Sequence, residues 1–233
     1  MSAVNLWRNA DHALTYLRNR EQLPHRVDAL EVLVELLPPR VERVLDLGTG
    51  DGITLALVLA ARPDATGVGV DFGDEMLEHA RDRFGDDPRV ELRKHDLDAP
   101  LPDLGTFDAV VSSFAIHHCS PARQSALYRE VAGIVRPGGV FVNAEHVASP
   151  TEGLHHEFLA ALGLAPEEDD PSNQLVGVEQ HLTWLNGCGF TNVDCFWKWR
   201  ELAVVAGRQQ TLTEFPGRPG KLREIRKSAE GAP

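Results

Sequence analysis

The sequence predicts a doubly wound α/β domain with a mostly parallel, seven-stranded sheet, on three observations. Between residues 41 and 146, short apolar runs of strand length alternate with runs of helical period. The turns between them are brief and rich in Gly, Pro and Asp, so each strand is followed by a helix that must cross a sheet face. After this series come two further strand-like runs with almost nothing between them, the signature of an antiparallel hairpin.

The 233 residues suffice for a sizeable core, since a chain of this length buries roughly 70% of its unfolded surface. Residues 1–40 read as two helices. The first spans Asp11 to Gln22, and Pro24 opens the second, with Val27, Leu30, Val34 and Leu37 on one apolar face before Pro38 and Pro39 stop it. Residues 41–207 form the main domain. Val41 to Leu47 is the first strand, ending in a glycine turn, and the nearly all-apolar Ile53 to Ala61 is the helix after it. Thr66 to Val70 is a second strand; Asp74 to Phe84 is a helix with Met76, Leu77, Ala80 and Phe84 inward. Arg89 to Lys94 and Phe107 to Ser112 are strands three and four. Ser120 caps a helix that begins at Pro121 and runs to Val135. Arg136 to Gly139 (RPGG) turns into strand five, Val140 to Asn143. A polar, acidic insertion of about residues 145–172 follows, then a helix around Val178 to Cys188 and the hairpin, Thr191 to Trp199 with Glu201 to Ala206. Residues 208–233 read as a mobile tail with a local excess of basic side chains.

Charge and cysteine usage narrow the function. A formal net charge of −12 repels phosphate backbones, so nucleic acid is not expected as a partner. Three cysteines without a CxxC pair read as reduced thiols rather than a disulfide framework or a zinc knuckle. The start lacks a basic segment followed by an apolar one, and the most apolar run, Leu55 to Ala61, is far below the roughly 20 residues that span a bilayer. The expectation is a cytoplasmic protein with no membrane contact.

The informative segment is Val44-Leu45-Asp46-Leu47-Gly48-Thr49-Gly50-Asp51-Gly52. A strand ends, glycines allow a tight turn and close ligand approach, and a helix begins with free N–H groups. Asp71 lies 23 residues beyond Gly48, at the end of the second strand, where an acid accepts hydrogen bonds from ribose hydroxyls. The pair predicts a cofactor containing adenosine. A nicotinamide fingerprint would place its third glycine one residue later, where Ile53 stands, and Asp46 adds negative charge beside a pyrophosphate. A ligand bearing an ammonium and a sulfonium suits Asp46 better, which favours S-adenosylmethionine (SAM) over NAD.

LDLGTGDG, GVDFGDEML, HDLDAPLP, FDAVVSSFAIHH and VRPGGVFV, in this order over Val41 to His146, resemble the class I SAM-dependent methyltransferase superfamily. The resemblance is nearest to its small-molecule branch, the quinone-biosynthesis methyltransferases and the carboxy-SAM synthase group. It implies a Rossmann-like fold, an N-terminal helical lid, SAM as cofactor and S-adenosylhomocysteine as product. It also implies roles. Gly48, Thr49 and Gly50 wrap the methionine portion, and Asp46 fixes the turn and the ammonium end. Asp71 holds the ribose, Phe72 and Leu97 lie by the adenine, Asp96 accepts from its amino group, and Ser113 lines the methionine arm. The fourth strand ends SSFAIHH rather than in the Asn-Pro-Pro-Tyr type of run of base-amino methyltransferases, in keeping with the charge.

His117 and His118 follow strand four at the crevice end of the sheet, where either could take a proton from an acceptor. Glu145, His146, His155 and His156 match no tight metal-ligand spacing, so no metal is expected. In the hairpin, Cys195, Trp197 and Trp199 alternate with Phe196, Lys198 and Arg200, which predicts half-buried sheet packing, with Trp199 as an alternative wall for an acceptor. Tyr16 and Arg20, one helical turn apart, are placed to close over the cofactor carboxylate. The expected activity is methyl transfer to a small organic acceptor. Alternatives are a SAM-binding enzyme of non-methylating chemistry, an NAD(P)-dependent oxidoreductase and a SAM-binding regulator. The sequence does not fix the acceptor or the oligomeric state.

Overall fold

The structure, a computed structural model, describes residues 24–211. Helix α1 (Arg26–Glu35) precedes strand β1 (Arg43–Leu47), α2 (Ile53–Ala61), β2 (Thr66–Asp71), α3 (Asp74–Phe84), β3 (Val90–Lys94) and β4 (Phe107–Ser113). There follow a 3-10 turn (Ile116–His118), α4 (Pro121–Ile134), β5 (Val135–His146), α5 (Glu152–Ala161), α6 (Val178–Gly187), β6 (Thr191–Trp199) and β7 (Leu202–Arg208). The seven strands form one sheet in the order β3-β2-β1-β4-β5-β7-β6. Strands β1 to β5 run parallel, whereas β7 is antiparallel to both β5 and β6. This is the doubly wound, Rossmann-like architecture that the alternation of elements predicts.

Side chains alternate across the sheet into two cores. Leu45, Val70, Val110 and Phe141 pack with Leu127 and Val131 of α4 and Leu185 of α6. Val44, Val111, Val142 and Val204 pack on the other face with Leu30 and Leu33 of α1 and Leu55 and Val58 of α2. The central strands are buried on both faces, which is why their sequences are almost continuously apolar. Strand order reverses next to β1, so the loops after β1 and β4 diverge and leave a crevice at the carboxyl ends of the strands.

Several boundaries differ from the expectations. The face that α1 buries is Arg26, Ala29, Leu30 and Leu33, with Leu37 beyond, whereas Val27 is 67% exposed. A polar residue heads this buried stripe, and that polar start pulls a purely apolar count one position out of register. RPGG is not a turn before the fifth strand. Strand β5 starts at Val135, because the Arg136 guanidinium pairs with Asp108 and the Gly138 amide donates to the carbonyl of Gln209. The strand also runs on through Glu145 and His146, paired with Ala203 and Leu202, into the start of the expected insertion. Arg208 closes β7 opposite Val140 and Thr191. The insertion holds α5, capped by the Thr151 hydroxyl, which buries Phe158 and Leu159 against Leu202, Trp197 and Trp199. The Cys195, Trp197 and Trp199 face is indeed the half-buried face of β6.

Candidate active site

The turn between β1 and α2 is held from two sides. The Thr49 amide donates to the carbonyl of Val70 (2.9 Å), and the Thr49 hydroxyl donates to Asp46 Oδ2 (2.7 Å). Gly48 and Gly50 adopt left-handed φ of 67° and 56°. A Cβ on Gly48 would stand 2.2 Å from that of Ala115, so the glycine is what lets the loop after β4 approach the turn. Asp46 is only 1% exposed, and its Oδ1 is buried without a hydrogen-bond partner. Burial pushes its carboxyl up to about 7; the Thr49 hydroxyl opposes this, and the Asp71 and Asp51 charges add to it.

Asp71 ties neighbouring loops together. Its Oδ2 accepts from the Gly50 amide and its Oδ1 from the Gly73 amide, both at 2.8 Å. Burial raises this carboxyl, and the two amide donors work against the rise. On the far side of the crevice, the Ser113 hydroxyl meets Thr54 Oγ1 at 2.7 Å. Phe114 follows in a left-handed backbone conformation (φ 53°), its amide bonded to the carbonyl of Ala144 at 2.7 Å. A non-glycine residue in that region is strained, and such strain clusters at functional sites. The strain sets the Phe114 ring beneath the Arg26 guanidinium, 5.4 Å from the ring centroid.

Together these groups wall a cleft of about 860 Å³, counted out to its open mouth. Gly48, Thr49, Gly50, Asp71, Phe72, Asp96, Leu97 and Ser113, all expected at the cofactor, line it. Asp46 does not; it lies behind the turn, where it fixes Thr49. The two histidines also separate. His118 lines the cleft. His117 is buried behind it, its Nδ1 on Glu145 Oε1, where burial lowers the imidazole and raises the carboxyl so that uncharged partners are favoured. Nδ1 of His118 lies 3.3 Å from Ser172 Oγ, whose hydrogen goes to Asp170 Oδ1 at 2.7 Å. Ser172 therefore accepts from the His118 Nδ1–H, which leaves the lone pair of this imidazole on Nε2. Burial and the neighbouring His117 hold His118 well below the ordinary imidazole range, so it is neutral.

Among the described residues, no group of three or more His, Cys, Asp or Glu side chains is placed to hold a metal ion. His146 and His155 instead both bond the buried Glu201. Tyr16 and Arg20 lie outside the described residues. Sequence reasoning missed Arg26, Phe114, Met76 and His95 on the cleft wall and Glu145 behind it. For Arg26 the signal was present: it stands in line with Leu30, Leu33 and Leu37, a charge heading an apolar stripe.

Residues 44–139 match the methyltransferase-domain family. An uncharacterized methyltransferase of Mycobacterium tuberculosis is 38% identical over 130 residues, covering 55% of this chain and 62% of its own length. The solved structure of an O-methyltransferase family protein from Burkholderia thailandensis superposes with a TM-score of 0.69 at 17% identity, over 89% of this chain and 62% of the other. Residues 44–139 thus match a methyltransferase domain, and the fold as a whole is like that of the O-methyltransferase family protein. A demethylmenaquinone methyltransferase of Clavibacter sepedonicus is 36% identical over 114 residues, 48% of this chain and 44% of the relative. The chain thus spans less than two thirds of the length of these curated relatives. The matched stretch of the methyltransferase domain runs from β1 into β5, and so includes the glycine turn, Asp71 and both histidines.

Proposed function

We propose that this chain transfers the methyl group of SAM to a small organic acceptor. The observation that carries the reading is the charge pattern at the glycine turn. A buried carboxyl group with one unpartnered oxygen lies behind the turn, and a second carboxyl, Asp71, lies on the cleft wall. A pyrophosphate set over the carboxyl beneath the turn is disfavoured, whereas a ligand bearing a sulfonium and an ammonium is favoured. These residues fit the cofactor.

When bound, SAM supplies an electrophilic methyl carbon. The work left to the protein is alignment and exclusion of water. The turn at Gly48 to Gly50 presents its backbone to the methionine arm, and Asp71 accepts from the ribose hydroxyls. Phe72, Met76 and Leu97 offer apolar surface to the adenine, with Asp96 at its amino edge. Where the acceptor must lose a proton, His118 is the histidine of the pair that stands on the cleft wall to take it. Among the described residues, no helix is long and apolar enough to cross a membrane.

The test is thermal unfolding with SAM, S-adenosylhomocysteine, NAD and NADP in parallel. A ligand at about 100 times its Kd adds roughly 2.7 kcal/mol, a rise in Tm on the order of 5–10 °C for a domain of this size. The expected result is a rise with the first two ligands alone. A rise with a nicotinamide cofactor alone would overturn the reading.

A further inference from the structure

The connection from β3 to β4, residues 95–106, contains no helix or strand, although it carries Asp96 and Leu97 on the cleft wall. A segment without regular structure has to find partners for its backbone polar groups elsewhere. Here α4 supplies them. Arg123, in the first turn of that helix, donates from Nε to the carbonyl of Leu97 (2.6 Å) and from Nη2 to that of Ala99 (2.7 Å). The rest of its fork grips Glu130, with Nη1 on Oε1 at 2.5 Å and Nη2 on Oε2 at 2.9 Å. Glu130 Oε2 also accepts from the Leu101 amide at 3.0 Å. The Arg123 side chain is 11% exposed, and its hydrogen bonds hold the Glu130 carboxyl below its ordinary value, so the pair keeps its charges. The two carbonyls that Arg123 takes belong to a turn. Within it, Asp96 Oδ1 accepts from the Asp98 amide (3.0 Å), and the Asp96 carbonyl accepts from the Ala99 amide (2.9 Å). The aim of the Asp96 carboxylate is thus fixed by the backbone of residues 96–99, and that backbone is fastened to α4.

We propose that Arg123 is the positioning residue through which the cleft tells adenine from other purine bases, because it holds the turn that presents Asp96 and Leu97 to the base. The inference rests on the proposed reading of the cleft as a SAM site, and it adds which residue off the cleft wall sets the base preference. Arg123 itself does not line the cleft. Arginine suits the task because one planar fork reaches two carbonyls and a carboxylate at once, which the point charge of a lysine does not. The Arg123 amide also donates to the Ser120 hydroxyl (3.3 Å), in the segment that leads from His118 into α4. The base end and the His118 end of the cleft are therefore referred to the same helix.

The experiment is calorimetric titration of the wild type, Arg123→Ala, Arg123→Lys and Glu130→Gln with S-adenosylhomocysteine and with S-inosylhomocysteine, which carries a carbonyl where adenine has its amino group. Neither titration needs a known acceptor. The wild type is expected to prefer the adenosyl ligand by about 10- to 100-fold, the usual strength of a hydrogen bond to a charged group. Arg123→Ala should bring the two ligands within about threefold of each other, by weakening the adenosyl one. Arg123→Lys should keep part of the preference, and Glu130→Gln, which leaves Arg123 in place but slackens its fork, should narrow it. Binding of the inosyl ligand also reports that a variant is folded; should Arg123→Ala not fold, the lysine and glutamine variants carry the same comparison. Equal losses for both ligands would mean that Arg123 supports the cleft as a whole, and an undiminished preference would mean that the turn holds itself. A wild type that binds the two ligands equally would mean that Asp96 does not read the amino group. Each of these overturns the inference while the SAM reading stands; a wild type that binds neither ligand overturns both.

Discussion

At Asp46 one carboxyl oxygen takes the Thr49 hydroxyl while the other is buried with no partner, beneath a turn that two further acids surround. Ionising such a group is expensive, and its pKa rises to about 7 from an ordinary 3.8. Between those values the folded protein holds a proton that the unfolded chain has released, so this group's contribution to stability declines as pH rises through that window. Urea unfolding of wild type and Asp46→Asn should therefore diverge. Relative to the variant, the wild type loses on the order of 2–4 kcal/mol between about pH 5 and pH 8. Parallel pH profiles would show that Asp46 ionises normally. The glycines of the turn separate in the same way. Gly48→Ala combines a left-handed φ of 67° with a Cβ only 2.2 Å from Ala115. It should cost about 2–5 kcal/mol, strain and overpacking together. Gly50→Ala meets nothing within 4 Å, so it carries the left-handed strain alone, about 1–2 kcal/mol. Equal Cm shifts for the two variants would refute the packing argument.

Among the elements, α5 is fastened by a carboxylate that the helix does not contain. Glu201 is fully buried at the start of β7, and it accepts from His146 Nε2 at 2.9 Å and from His155 Nδ1 at 3.0 Å, the latter on α5. Burial alone would raise this carboxyl, but the histidine donors hold it below its ordinary value. Glu201→Gln keeps the shape and removes the charge, so amide exchange over residues 152–161 should quicken by about tenfold or more, since hydrogen bonds to charged groups are worth about 1.5–3 kcal/mol. Exchange at the glycine turn should not change; quickening at both would make Glu201 a support of the whole sheet edge. The same helix shows where the sequence falls silent. Ile53–Ala61 and Asp74–Phe84 are legible to the residue because a glycine turn or an apolar stripe bounds each. Helix α5 buries only Phe158 and Leu159 and takes its anchorage from Glu201, 46 residues from His155, which no local pattern can report. The site divides likewise. Gly48 and Asp71 are legible because turn chemistry and a strand end fix them, and Asp96 through the family resemblance, whereas Phe114 lines the cleft from a left-handed backbone position that only the folded chain reveals.

On the scale of the whole molecule, the cleft draws on one end of the sheet and leaves the other end alone. Its wall comes from α1 and from the segments that follow β1, β2, β3 and β4, elements on both faces of the sheet but on one side of β5. Strands β6 and β7 contribute nothing to it and form the opposite edge. A ligand that bridges those four segments restrains them against one another, because opening any of them releases it, and this linkage stabilises the closed form. Hydrogen exchange with saturating S-adenosylhomocysteine should thus slow in residues 47–53, 71–76, 95–98 and 113–119. Exchange in the β6–β7 hairpin should match that of the free protein. Slowing confined to the glycine turn would mean a ligand held at one end of the cleft. Slowing in the hairpin would place the ligand on the other side of the sheet, where the buried Glu201 and its histidines, rather than Asp71, would have to receive it.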